Sequence, residues 1–126
     1  MSFQKAAIAF MSILLATTVH ADDAFGPVDL CRDLSLIANQ VMSARQNNKP
    51  MSEVIPVVAD RLLSWGDKYG IEMDMDKAER TAAEMVITAY QEMIIPVERL
   101  QRIEITEFEN AIFQECYESA TSDSEK

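Results

Sequence analysis

Two cysteines, Cys31 and Cys116, constrain what this chain can fold into more than any other feature, because 85 positions separate them. The chain has no Cys-x-x-Cys motif, and no third soft ligand stands beside either cysteine. In an oxidising compartment such an even pair forms a structural disulfide. Closing a loop of this length restricts the unfolded chain by roughly 4–5 kcal/mol. We therefore expect a disulfide between Cys31 and Cys116 if the chain is exported.

The N-terminus indicates export. Lys5 precedes an apolar run over 6–19, and Val-His-Ala then places small residues at an expected cleavage point. These are the three parts of a secretory signal peptide, and the run is shorter than the roughly 20 residues that cross a bilayer. An uncleaved membrane anchor or a buried helix is the alternative. We expect a periplasmic or secreted protein with a cleaved signal peptide over 1–21, a single domain over 22–119 and a disordered polar tail over 120–126.

Composition narrows the classes of function. Cleavage would remove Lys5 and His20, the only histidine, so the net charge would fall from −10 to −11. Without histidine there is no imidazole for a Ser–His or Cys–His pair, for zinc or for haem. The acidic excess opposes binding to nucleic acid and to anionic membranes. It favours a basic protein partner through long-range attraction, although acidity alone also keeps exported proteins soluble.

Acidic and sulfur-containing residues are abundant, but their patterns do not indicate a site. The segment 74–85 begins like a calcium-binding loop, yet Glu79 replaces the turn glycine and Met85 replaces the final acidic ligand. Met-Asp-Met at 73–75 could offer thioethers to copper(I), but methionine more often fills cores. Because acids occur throughout, a pair of them does not mark a hydrolase. We expect no enzyme activity, no catalytic residue, no metal and no cofactor.

Apolar residues recur at helical spacing along the mature chain. A first helix is predicted over about 30–47, with Asp29 as its N-cap, and Pro50 prevents its continuation. A second helix begins near Ser52 or Ile55, because Pro56 is tolerated only in a first turn. It ends where Gly70 can take the left-handed conformation of a C-terminal cap.

The second half of the chain continues the helical pattern. Asp76 begins a capping box and so a third helix, which ends near Ile94 because Pro96 follows. The remainder, 97–119, is one helix or two, because Thr106 could begin a second capping box. The predicted fold class is all-α, a small four- or five-helix bundle with one disulfide between the first and last helices.

The third helix carries a second apolar row in addition to its main apolar stripe. This row consists of Ala83, Ile87, Tyr90 and Ile94. Together the two rows form an arc that is wider than a surface helix needs. One interpretation is a central helix that its neighbours cover on both sides. The other is that the second row docks a partner, either another copy of the chain or a foreign protein.

Arg45 falls within the apolar face of the first helix, in its last turn. Its side chain could lie along the core with its charge in water. It could also favour the negative C-terminal end of the helix. A third possibility is an ion pair with an acid of the last helix, such as Glu104 or Glu107.

Three motifs occur in order along the chain. They are "VMSARQ" at 41–46 after the first cysteine, the pair Ala89-Tyr90, and the segment "EFENAIFQEC" that ends at the second cysteine. This pattern resembles a family of small secreted proteins of unknown function, many of them carried by bacteriophages or found in Gram-negative genomes. Arg45 and Gln46 belong to its most specific part, and Asn48 stands where the family often has glycine. The resemblance covers nearly the whole mature chain and implies secretion without implying an activity.

These observations favour a non-enzymatic exported interaction protein. It would bind, and in one version inhibit, another envelope protein, in the manner of an immunity or phage-exclusion factor. The expected partner is a protein, a basic one or a second copy in a homodimer, with no nucleic acid and no membrane insertion after cleavage. One alternative is an acid-responsive periplasmic chaperone, in which protonated carboxylates loosen the bundle. The other is a hydrolase that uses two carboxylates.

Overall fold

The computed structural model describes residues 25–122, which are helical apart from the short segments that connect the helices. The four α-helices are α1 Pro27–Gln46, α2 Met51–Tyr69, α3 Met75–Tyr90 and α4 Glu98–Ser122. They confirm the predicted all-α bundle, with four helices over this range. The expected signal peptide over 1–21 lies outside the described residues. No helix among those described is long and apolar enough to cross a membrane.

α1 is the central helix of the bundle, and it packs against each of the other three. Residues three and four apart along α1, including Leu34, Ala38 and Val41, are completely buried. This spacing places them on one side of the helix, so their burial against the neighbouring helices forms the core. α3 also packs on α2, whereas the long helix α4 packs mainly along α1.

The predicted disulfide joins α1 to α4. The sulfur atoms of Cys31 and Cys116 are 2.14 Å apart, and both side chains are fully buried. Two turns further along α1, the Asn39 amide donates to the Glu109 carboxylate at 2.8 Å. Later residues of α1 thus contact earlier residues of α4, so the two helices are antiparallel. If these pairings are continued, the end of α1 lies beside residues 101–102 of α4.

The starts of α1 and α3 differ from the prediction. α1 begins earlier, after Gly26, and Asp29 is not its N-cap but a first-turn residue whose carboxylate accepts from the Gly26 amide at 3.3 Å. α3 is capped by Asp74, whose carboxylate accepts a first-turn backbone amide at 2.8 Å, and not by Asp76. Pro27 in the first position favours the earlier start of α1. For α3 the sequence offers two aspartates, and either can serve as a cap.

The second helix begins at Met51, next to the earlier of the two predicted starts, and ends as predicted. Pro56 lies inside α2, in the second turn, where it removes one helical hydrogen bond to Ser52. Both residues are exposed, so water can satisfy the Ser52 carbonyl. Gly70 ends the helix in the left-handed conformation with φ 69°, which confirms the prediction. The Ile71 amide then donates to the Gly66 carbonyl at 2.8 Å.

The third helix is shorter than predicted, and the fourth is longer. α3 ends at Tyr90 and not near Ile94. α4 is one uninterrupted helix, so the capping box predicted at Thr106 does not begin a new helix. α4 also continues through Ser122, three residues into the tail predicted over 120–126. Within this part the Thr121 hydroxyl donates to the Tyr117 carbonyl, one turn back along the helix.

Candidate interaction site

A buried glutamine at the end of α1 binds the loop between α3 and α4. We call residues 91–97 the α3–α4 loop. The Gln46 side chain is only 5% exposed. Its Nε2 donates to the Met93 carbonyl at 3.1 Å, and its Oε1 accepts from the Ile95 amide at 2.8 Å. One buried amide therefore satisfies two backbone groups of the loop, and those groups in turn satisfy the amide.

Arg45 holds the same loop from the neighbouring position. Its Nε donates to the Glu92 carbonyl at 2.8 Å, and its guanidinium carbon lies 5.1 Å from the centre of the Tyr90 ring. Its place in the last turn of α1 is confirmed. The ion pair with Glu104 or Glu107 is wrong, since the salt bridges in the described part of the chain do not include Arg45. A backbone carbonyl and an aromatic ring take the place of the expected carboxylate.

Tyr90 and the turn after α1 complete this contact. The Tyr90 hydroxyl donates to the Lys49 carbonyl at 2.5 Å. Asn48, just before Lys49, has a positive φ of 56°. Asparagine tolerates this left-handed conformation better than most residues other than glycine. The Ala-Arg-Gln segment and the pair Ala89-Tyr90 therefore meet in space, although they are far apart in sequence.

The α3–α4 loop leads into an exposed row of large apolar side chains. We call this row the apolar ridge; it consists of Ile94, Val97, Leu100 and Ile103, which are 38 to 49% exposed. Residues three apart are neighbours on a helix surface, so the members at the start of α4 form a continuous strip. Val97 and Leu100 are uncovered because α1 ends level with residues 101–102, which follow them in the chain. The first turn of α4 therefore extends past the helix on which the rest of α4 packs.

The predicted docking row on the third helix does not form a single helical face. α3 ends at Tyr90, so Ile94 lies beyond it and belongs to the apolar ridge instead. Ala83 and Tyr90 are half-buried, while Ile87 is 50% exposed. α3 packs on both α1 and α2, but α1 is the central helix and Ile87 is exposed, so the neighbours of α3 do not cover its whole second row.

A buried pair of carboxyl groups lies beside the ridge. Glu104 follows Ile103 and is only 8% exposed. Its carboxyl lies close to that of Glu92 in the α3–α4 loop. Its Oε1 atom has no hydrogen-bond partner among the described residues. Burial, then the contact with Glu92 and the charge of Glu107, raises the pKa of Glu104 to about 7.

The sequence contains a signal for Glu104 that periodicity alone did not bring out. Phe108, Ile112 and Cys116 are buried and repeat every four residues, and one step back along α4 falls on Glu104. A carboxyl group in a core position needs a partner, which makes such a residue a candidate for function. Its partner Glu92 could not be found in this way, because the position of Glu92 depends on where α3 ends.

A second surface is the groove between α1 and α2, with a volume of about 500 Å³. Asp33 and Lys68 line it together with Trp65. The Lys68 ammonium lies 2.8 Å from the Asp33 carboxylate, which also accepts a hydrogen bond from the Tyr69 hydroxyl. These hydrogen bonds lower the pKa of Asp33. In contrast to Glu104, this carboxylate is satisfied within the protein.

Neither metal-binding geometry nor similarity to known proteins assigns a function to this chain. Within residues 25–122, no three acidic, histidine or cysteine side chains are grouped so that they could hold a metal ion. The chain matches no protein-family model, no curated protein and no solved structure. The function is therefore inferred from the geometry of the site.

Proposed function

We propose that this is a non-enzymatic interaction protein of the cell envelope, which docks on a partner protein through the apolar ridge. The observation that carries the proposal is the ridge itself, a row of exposed large apolar side chains at one end of the bundle. Contiguous apolar surface on a soluble protein usually marks an interaction site. Leu100 and Ile103 would act as anchors that a partner buries in pockets of its own.

The polar contacts beneath the ridge support this role because they hold it in one conformation. Gln46 binds the loop on both sides of Ile94, and Arg45 binds it two residues earlier. From the other side, the Gln101 side-chain amide donates to the Ile95 carbonyl. A surface that is ordered before binding loses less conformational entropy when the partner arrives.

The predicted signal peptide and the disulfide favour the periplasm, or the space outside the cell, as the location. The resemblance to a phage- and Gram-negative-borne secreted family favours an envelope protein as the partner. We propose that docking covers a functional surface of that partner, as an immunity or exclusion factor would.

The hydrolase alternative is less well supported. The Glu92 carboxyl lies close to that of Glu104, and Glu104 is buried. The two carboxyl groups of a glycosidase stand roughly 5 Å or more apart, with the substrate between them. Two carboxyl groups that lie this close together, one of them buried, do not match that arrangement.

The acid-responsive chaperone is less well supported, because acidification changes the stability of the bundle in the wrong direction for it. Because the pKa of Glu104 is raised, the folded protein holds a proton that the unfolded chain loses above about pH 4.5. Acidification through this range therefore stabilises the bundle and does not loosen it. The group with the opposite trend is Asp33, whose lowered pKa removes stability only below its usual value of 3.8.

Two matched substitutions test the proposal. Ile103 on the ridge and Leu36 on α1 are 49% and 51% exposed, so either can become glutamate without opening the core. Tagged wild-type and variant proteins are produced in the periplasm of cells that carry the chain, and co-purified proteins are quantified by mass spectrometry. We expect Ile103→Glu to reduce recovery of one dominant partner at least tenfold, on the order of a hot-spot residue. Leu36→Glu should leave that recovery unchanged.

Two outcomes would contradict the proposal. Equal recovery with Ile103→Glu and with wild type would remove the ridge as the docking surface. Loss of recovery with Ile87→Glu alone would move the interface to the outer face of α3, which is one of the two interpretations of the sequence pattern.

A further inference from the structure

We infer that the partner presents an arginine or lysine flanked by apolar side chains, and that this cation binds between Glu92 and Glu104 at the edge of the apolar ridge. The inference rests on the proposed function, because the same partner covers the ridge. It adds the chemistry of the group that anchors the partner.

Glu104 is the member of this carboxyl pair with an atom that lacks a hydrogen-bond partner within residues 25–122. Its carboxyl is buried, yet its Oε1 atom accepts no hydrogen bond from the described residues. A buried polar atom without a partner is costly, and native proteins leave few of them. Glu92 is only half-buried and therefore offers access from solvent. Leu100, one turn before Glu104 on α4, places the ridge directly beside this opening.

The salt bridges within residues 25–122 do not supply a cation to this pair. Arg45 reaches the α3–α4 loop from α1, but its guanidinium group is engaged by the Glu92 carbonyl and the Tyr90 ring. On α4, Glu107 adds a further negative charge next to Glu104. The local charge is therefore complementary to a basic side chain from outside.

A basic side chain also fits the apolar surroundings. Its methylene groups can lie on the ridge while its charged end reaches the carboxyl groups. An arginine suits the site best, because its planar guanidinium group can donate to two carboxylates at once. Such contacts are stronger than those between neutral groups.

Binding should exchange a proton for the cation. Without a partner, Glu104 retains a proton up to a pH near 7, because its carboxyl is buried and lies beside that of Glu92. When the cation enters, that proton leaves to solvent, and the cation restores the charge balance. Binding therefore strengthens as the pH rises through about 7, and it releases up to one proton.

Two peptides test this inference on the whole protein. Both are acetylated and amidated tetrapeptides, Leu-Arg-Leu-Leu and the same peptide with citrulline, which has nearly the shape of arginine but no charge. Amide chemical shifts and affinities are followed by NMR at pH 8 and pH 5.5. We expect both peptides to shift the signals of Leu100 and Ile103. At pH 8 the arginine peptide should bind about tenfold more tightly, and this preference should fall to less than about threefold at pH 5.5.

Substitutions assign the preference to the carboxyl pair. Glu104→Gln retains the shape of the protonated side chain, so we expect the fold and citrulline-peptide binding to persist while the arginine preference is lost. Glu92→Gln, on the half-buried side of the pair, should give the same loss. Glu115→Gln is the control, because Glu115 is also buried on α4 but lies three turns from Glu104; the preference should survive there.

The outcomes separate the inference from the proposed function. If both peptides bind at the ridge equally well at pH 8, the cation site is refuted while the docking surface stands. If Glu104→Gln and Glu92→Gln both keep the arginine preference, the cation binds elsewhere and the inference is again refuted. If neither peptide shifts the signals of the ridge at millimolar concentration, the proposed function fails together with the inference.

Discussion

Replacing Glu104 by glutamine should stabilise the protein at pH 8. In wild type, the Glu104 carboxyl must ionise in a buried site next to Glu92, which raises its pKa from 4.5 to about 7. The folded form therefore keeps a proton between these two pH values that the unfolded chain has lost. Stability falls as the pH rises from about 4.5 to 7 and then stays level, since both forms are ionised. Glutamine cannot ionise, so it removes this decline.

The magnitude follows from the size of the pKa change. At 1.36 kcal/mol for each pKa unit, the ionisation of Glu104 costs about 3 kcal/mol of unfolding free energy above pH 7. Glu104→Gln should therefore raise the unfolding free energy at pH 8 by up to about 3 kcal/mol. At pH 4.5 the same substitution should change it little, because the native carboxyl is then largely protonated. The raised pKa of Glu115 adds a trend of the same sign, which remains in the variant.

Urea denaturation followed by circular dichroism at 222 nm measures this effect. Wild type, Glu104→Gln and the control Glu72→Gln, an exposed glutamate between α2 and α3, are compared at pH 4.5 and pH 8. The control should follow wild type at both values. Equal stability of wild type at pH 4.5 and pH 8 would refute the reasoning. A variant that is no more stable than wild type at pH 8 would refute it too.

Three further outcomes concern the contacts that hold α1 to the rest of the bundle. Gln46→Ala should lower the unfolding free energy by about 2–4 kcal/mol in urea denaturation, because two backbone groups of the α3–α4 loop lose their partner; no loss would show that water replaces the amide. Arg45→Met should cost only about 1 kcal/mol, on the order of the net value of one hydrogen bond and a half-buried cation–π contact, and should speed amide exchange of the loop. Replacing Cys31 and Cys116 together by serine should lower the unfolding free energy by about 2–5 kcal/mol, whereas an unchanged midpoint in reducing and non-reducing buffer would show that the bond does not form.

Much of the fold follows from the sequence because local signals and tertiary contacts agree there. Gly70 ends α2 since only a residue that tolerates a positive φ fits that position, and Ile71 is buried after it. The disulfide between Cys31 and Cys116 agrees with the helical pattern, because both cysteines lie on buried faces of their helices. In these places a single physical requirement selects the residue.

The ends of α3 and the site itself could not be predicted, because distant contacts decide them. Apolar spacing alone continues the third helix to Ile94, but Gln46 binds the backbone of the next segment and replaces helical hydrogen bonds there. The exposure of Leu100 follows from where α1 ends, which is a property of two helices and not of one. A sequence shows the charges that make an ion pair one of the three interpretations of Arg45, but it does not show the free carbonyl of Glu92 that Arg45 binds.

Photocrosslinking in living cells tests the central claim, that a partner covers the apolar ridge, most directly. A benzoylphenylalanine is placed at Leu100 or Ile103 on the ridge, or at the comparably exposed Val57 on α2 as a control. After irradiation, we predict one crosslinked product of the same mass from both ridge positions and none from Val57. Crosslinks from Val57 with none from the ridge would contradict the account.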